Sequence, residues 1–179
     1  MSISTQRPRT VPEYSICLVR ERRARFRAKP ISDSEACFKT FQSAFEWLDR
    51  EHFAVITLDT KNHPIGFNVV AVRSLSLAIV HPREVFKCCI MQNAAAVILA
   101  HNHVSGDPTP SDEDRSLTER LRIAGRILGI TVHDHAVFGR ERYISFSENG
   151  WFRKAERRST SGKKVRSLAF ENRNDNQGA

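Results

Sequence analysis

Residues 95–100, AAVILA, form a run of six apolar side chains that ends directly on His101, and this junction constrains the fold more than any other part of the chain. A half-exposed strand alternates apolar and polar residues. An unbroken short apolar run marks a strand covered on both faces. Such a strand needs partner strands on its edges and helices over its faces, so the expected architecture is a mixed α/β domain with one main sheet flanked by helices. Immediately after the run the chain becomes HNHVSGDPTPSDED, which is polar, carries two prolines and one glycine, and leaves the core abruptly.

The remaining elements arrange themselves around this strand. YSICLV (14–19) reads as a short strand. Between Ser34 and Arg50 the period changes, and Ala36, Phe38, Phe41, Ala44, Phe45 and Leu48 fall on one stripe of an amphipathic helix, with Asp33 or Ser34 as its cap. FAVITLD (53–59) and IGFNVVAV (65–72), joined by the polar turn TKNHP, read as a hairpin, and SLSLAIV (74–80) as a further strand. HPREVFKCCIMQNA reads as a helix with Pro82 in its first turn, where a missing N–H costs little. Leu117, Leu121, Ala124 and Leu128 define another helix, which Gly129 stops. ITVHDHAVFG and RYISFS read as two closing strands. The expected organisation is a flexible arm over 1–12, one domain over 13–150, and a basic, largely disordered tail over 151–179 with a short helix near 151–158.

Charge is distributed unevenly. The net charge is +8, but residues 1–30 hold eight Lys/Arg against two acids and residues 150–179 hold eight against three, so the body between them is slightly acidic. Basic ends of this kind allow non-specific contact with DNA phosphates, and they are also ordinary solvated segments. No apolar run approaches the roughly 20 residues needed to span a bilayer. The polar N-terminus (MSISTQRPRT) has no apolar signal region, so a cytoplasmic location is expected, with no membrane partner. Cys17, Cys37, Cys88 and Cys89 contain no C-x-x-C pair and read as small apolar side chains in a reducing compartment.

The chemistry lies where AAVILA ends. His101 and His103, at i and i+2 on an extended segment, point to the same side. Asp114 follows a loop able to turn the chain back over the strand end. Two imidazoles and one carboxylate leave a fourth tetrahedral position open, which catalytic zinc requires. Each residue also has a plainer reading. The histidines can be polar side chains at a strand end, and Ser111-x-x-Asp114 ahead of an apolar helix matches a capping box.

HNHVSGDPTPSDED resembles the signature of the JAMM (MPN/JAB) metallopeptidases, H-x-H, seven residues, then S-x-x-D. The stretches ISDSEACFKTFQSAFEWLDREHFAVITLDTKN, HPREVF, NAAAVILAHNHVSGDPTPSDED, LTERLRIAGRILGI, HDHAVFG and RYISFSENG are similar to the RadC-like branch of that superfamily, from about residue 14 to 150. The resemblance implies a zinc ion held by His101, His103 and Asp114, Ser111 supporting an oxyanion, and Glu51, in DREHFAVITLD, moving the proton of an attacking water. Glu84 in HPRE competes for that last role, but a glutamate in the first turn of a helix also simply complements the helix dipole. His133 and His135 repeat the H-x-H pattern without a third ligand and read as structural or supporting residues; Asp134 and His135 match an Asp-His pair common in the RadC-like branch.

Two departures stand out. Val104 replaces the proline that usually follows the second histidine, and the chain begins past the N-terminal helical region, similar to helix-hairpin-helix modules, of the longer branch. The implied function is a zinc-dependent hydrolase of peptide or isopeptide bonds acting on a peptide or protein substrate. The alternative is a factor associated with DNA repair or recombination that keeps the zinc-binding fold.

Overall fold

A computed structural model describes residues 15, 17–19, 29–46, 48–72 and 80–152. Along the chain the elements are α1 (Ser34–Phe45), β1 (His52–Leu58), β2 (Pro64–Val72), α2 (Pro82–Met91), β3 (Ala96–Asn102), α3 (Asp112–Leu128), β4 (Thr131–Phe138) and β5 (Tyr143–Ser145). The strands form one sheet in the order β2-β1-β3-β4-β5. β3 is the central strand, paired antiparallel with β1 and parallel with β4, and all seven of its residues are buried.

Alternation along β1 and β3 sorts the core into two layers. Ala54, Ile56, Leu58, Ala96, Ile98 and Ala100 face α1, where Cys37, Phe38, Phe41 and Phe45 cover them. Phe53, Val55, Val97 and Leu99 face the opposite way, against Val85, Phe86 and Cys89 of α2 and Leu117 and Leu121 of α3. Burial of each such large apolar side chain stabilises the fold by about 1.5–3 kcal/mol. The same alternation continues past Leu99 and turns His101 toward α3.

The helix ends follow local chemistry. Asp33 caps α1 by accepting from the Ala36 N–H at 2.7 Å. α1 ends at Phe45 rather than running to Arg50, because Glu46 adopts extended backbone (φ −72°, ψ 137°) and the chain turns toward β1. Leu48 still packs on the α1-side core, which explains why the apolar stripe outlasts the helix. α2 starts with Pro82 after His81, whose side chain accepts from Arg83 N–H. α3 ends at Gly129, which takes the left-handed conformation (φ 72°) that glycine adopts without steric cost.

The strand expected at 14–19 is not found, since described residues 15 and 17–19 are in no strand. The strand expected at 74–80 falls largely outside the described residues, as do the arm at 1–12 and the tail helix beyond residue 152. Among the described residues no helix is long and apolar enough to cross a membrane.

Candidate metal centre

The end of β3 and the start of α3 meet on the α2/α3 side of the sheet. His101 is fully buried and stacks beside Phe53, with ring centroids 6.2 Å apart. His103, one residue past β3, is more accessible. Asp114 sits in the first turn of α3, 3% exposed. His101 Nε2 lies 3.0 Å from His103 Nε2 and 3.4 Å from Asp114 Oδ1, and His103 Nε2 lies 3.6 Å from Asp114 Oδ2.

The two sequence readings of Asp114 turn out to be compatible. Ser111 caps α3, and its side chain accepts from Asp114 N–H at 3.1 Å. In return Asp114 Oδ2 accepts from Ser111 N–H at 2.8 Å and from Ser111 Oγ–H at 2.7 Å. This capping box holds the carboxylate in one orientation, and that orientation aims it at the two rings.

The hydrogen-bond network assigns the ring protons. Thr118 Oγ–H donates to the Asp114 carbonyl at 2.5 Å, so the Thr118 oxygen accepts from His135 Nδ1–H, also at 2.5 Å. His135 Nε2 is then an acceptor and takes the His101 Nδ1–H at 2.8 Å, which leaves His101 Nε2 bare toward the centre. His103 Nδ1 lies 2.7 Å from the Asp107 carbonyl, which can only accept, so His103 also turns Nε2 inward.

Charges follow this arrangement. Burial, then the neighbouring His135 ring, pushes His101 well below the ordinary histidine value, and burial pushes His135 down to about 4, so both rings are neutral. His103 is raised, first by its bond to Asp114 against the opposing effect of burial, then by the Asp107 carbonyl and the charges of Asp114 and Glu51. Burial favours the protonated form of Asp114, but the bond from His103 and those from Ser111 outweigh it and hold the carboxyl below the usual range.

A donor set of this kind fits a divalent cation. The three ligand atoms lie within 4.8 Å of one another. Ligand atoms roughly 2.0–2.1 Å from a tetrahedral zinc stand about 3.3 Å apart, close to the 3.0 Å between the two Nε2 atoms and the 3.4 Å from His101 Nε2 to Asp114 Oδ1. One proton on His103 Nε2 can serve only one neighbour at a time, whereas a cation at the centre serves all three donors at once.

Of the other expected residues, Ser111 is joined to Asp114. Glu51 is half-buried just ahead of β1, and its charge reaches His103. Glu84 is exposed in the first turn of α2 and pairs with Lys87 at 2.6 Å, as a helix-start carboxylate would. His133 and His135 part company. β3 and β4 pair Val97 with Val132 and then Ile98 with Asp134, so His133 occupies a β-bulge. His133 is exposed and lies 3.2 Å from Asn62 Oδ1, while His135 is turned inward to His101. Asp134 faces α1 and accepts from Ser34 Oγ, Ser145 Oγ and the His135 and Ser147 amides. Thr118 was not expected from sequence, where a threonine one turn after Asp114 reads as ordinary helix surface. Its spacing of four residues from Asp114 was the available signal.

A family model described as RadC-like JAB domain matches residues 31–151. The chain is 56% identical over 104 residues to a UPF0758 protein of Desulfitobacterium hafniense (strain DSM 10664 / DCB-2), covering 58% of this chain and 46% of that protein. It is 48% identical over 127 residues to one of Symbiobacterium thermophilum (71% and 54%) and 45% identical over 122 residues to one of Caldanaerobacter subterraneus (68% and 52%). The chain thus spans about half the length of the curated relatives it matches.

Proposed function

Since the chain belongs to the family of RadC-like JAB domains, we propose that it is a zinc-dependent hydrolase of the JAMM metallopeptidase type, cleaving peptide or isopeptide bonds. The observation that carries this reading is the convergence of His101 Nε2, His103 Nε2 and the Asp114 carboxylate on one point with three protein donors. A purely structural zinc usually has four, and three leave a position for water and substrate.

Zinc bound there would lower the pKa of a coordinated water to about 7 and polarise the scissile carbonyl. Within this chain, Glu51 takes one proton from the attacking water as the water oxygen joins the carbonyl carbon, and passes it to the nitrogen as the C–N bond breaks. Ser111 turns its hydroxyl from Asp114 Oδ2 toward the developing oxyanion, while its backbone N–H keeps the carboxylate in place. His135 and Thr118 hold the His101 ring with Nε2 forward.

The test uses the full chain loaded with zinc and a proteome-derived peptide library that includes isopeptide-linked members. Mass spectrometry is expected to find new termini with the parent protein and none with Glu51→Gln at equal zinc content. Equal cleavage by Glu51→Gln, or none by the zinc-loaded parent, would contradict the reading.

A further inference from the structure

Asn102 stands between the two histidines, and alternation turns it away from the metal centre. It is 4% exposed, and its amide is used at both ends. Asn102 Oδ1 accepts from the His52 backbone N–H at 2.8 Å, and Asn102 Nδ2–H donates to the Arg50 backbone carbonyl at 3.0 Å. These two backbone groups flank a single residue, Glu51. Backbone pairing between β1 and β3 stops at Phe53 opposite His101. Continuing that register by two residues sets Glu51 opposite His103, on the face that Phe53 shares with His101. The asparagine amide therefore takes the place of the missing backbone rung at the point where Glu51 needs a fixed conformation.

We propose that Asn102 is the positioning residue for Glu51, bracketing its backbone so that the carboxylate projects over the open side of the centre. A side chain that hydrogen-bonds both the carbonyl before and the amide after one residue restricts the two torsions of that residue. An aliphatic residue here would leave the part-buried His52 N–H and Arg50 C=O without that partner. The inference rests on the reading of Glu51 as the proton acceptor, and it assigns a task to the middle residue of the H-N-H segment that is neither metal ligation nor chemistry.

The test compares the full chain with Asn102→Ala, Asn102→Thr, Glu51→Gln and the Asn102→Ala/Glu51→Gln double variant. Hydrogen exchange of the metal-free chains, read by NMR, should show the His52 amide exchanging on the order of tenfold faster in Asn102→Ala, with the interior of β3 unchanged. Cobalt(II) then reports on the centre. Asn102→Ala should bind one equivalent as the parent does. The pH profile of its visible absorption should be displaced in the same sense as that of Glu51→Gln, and the double variant should be displaced no further. Asn102→Thr, which retains one hydrogen-bonding group and a strand-forming side chain, should fall between Asn102→Ala and the parent, and it serves if the alanine variant does not fold. An unchanged His52 amide, or a parental cobalt profile in the asparagine variants while Glu51→Gln is displaced, would overturn the positioning role and leave the Glu51 reading standing. A parental profile in Glu51→Gln itself would overturn that reading, and the inference with it.

Discussion

His135 Nε2 lies 2.8 Å from His101 Nδ1, and this contact decides which nitrogen of His101 faces His103 and Asp114. The decision originates one step further out, at Thr118, whose hydroxyl proton is committed to the Asp114 carbonyl. Thr118→Val keeps the shape of the helix and removes the acceptor for His135 Nδ1–H. His135→Ala removes the next link. Each is expected to weaken zinc binding by roughly 10–100-fold, the usual cost of losing an outer partner of a metal-ligating histidine. Competition with a chromophoric chelator measures it, and parental affinity in both variants would show that the relay has no influence.

Ser111 joins the cap of α3 to the orientation of Asp114. Ser111→Ala is expected to lower stability by about 1 kcal/mol, from the lost cap. It should also loosen the carboxylate and so weaken zinc binding, while Asp112→Ala, one residue on and exposed, should leave zinc affinity unchanged. Thermal unfolding and zinc titration of the two variants separate these effects. Parental stability in Ser111→Ala would mean that the cap contributes nothing.

Gly125 lies where α3 approaches the start of β4. A Cβ there would stand 2.5 Å from the Ile130 carbonyl oxygen and 3.1 Å from the Phe86 ring. Alanine is the better helix former by about 1 kcal/mol, but backbone oxygen cannot move aside as a flexible side chain can. Gly125→Ala is therefore expected to destabilise by about 1–3 kcal/mol despite the gain in propensity. Chemical denaturation with an unchanged or raised midpoint would show that the two elements separate without cost.

Cys37, on the sheet-facing side of α1, is 1% exposed, and burial pushes its thiol from the ordinary 9.0 up to about 12, with a smaller contribution from Asp134. In the unfolded chain the group ionises near 9. Its contribution to stability is thus complete below pH 9 and is lost as pH rises through 9 toward 12. Between pH 7 and 9, iodoacetamide should modify exposed Cys17 and leave Cys37 intact until the protein unfolds, as mass spectrometry of the alkylated chain would show. Early labelling of Cys37 at pH 8 would contradict the packing of α1 on the sheet.

Much of the fold was legible because a single signal governed each element. AAVILA read as a covered strand, the runs flanking TKNHP could pair as a hairpin, and Leu117, Leu121 and Ala124 share the core-facing side of a helix, although Leu128 at its end is exposed. His101, His103 and Asp114 were legible as a set because strand alternation puts both rings on one side and the helix start follows a reversing loop. The roles of His133 and His135 were not. A regular strand points them the same way, and only the β-bulge, which depends on pairing with β3, sends one outward and one inward. The end of α1 was hidden because Leu48 continues the apolar stripe after the helix has stopped. Thr118 and Asn102 were hidden for a related reason: each acts through partners distant in sequence, His135 and the Arg50–His52 backbone, which no local pattern announces.

The proposed hydrolysis requires His101, His103 and Asp114 to grip one cation together. Zinc content of the purified, zinc-loaded and desalted chain, measured beside His103→Ala and Asp114→Ala, is the decisive measurement. About one zinc per parent chain and essentially none in either variant is the predicted result. A parent chain that retains no zinc, or variants that retain as much as the parent, would contradict it.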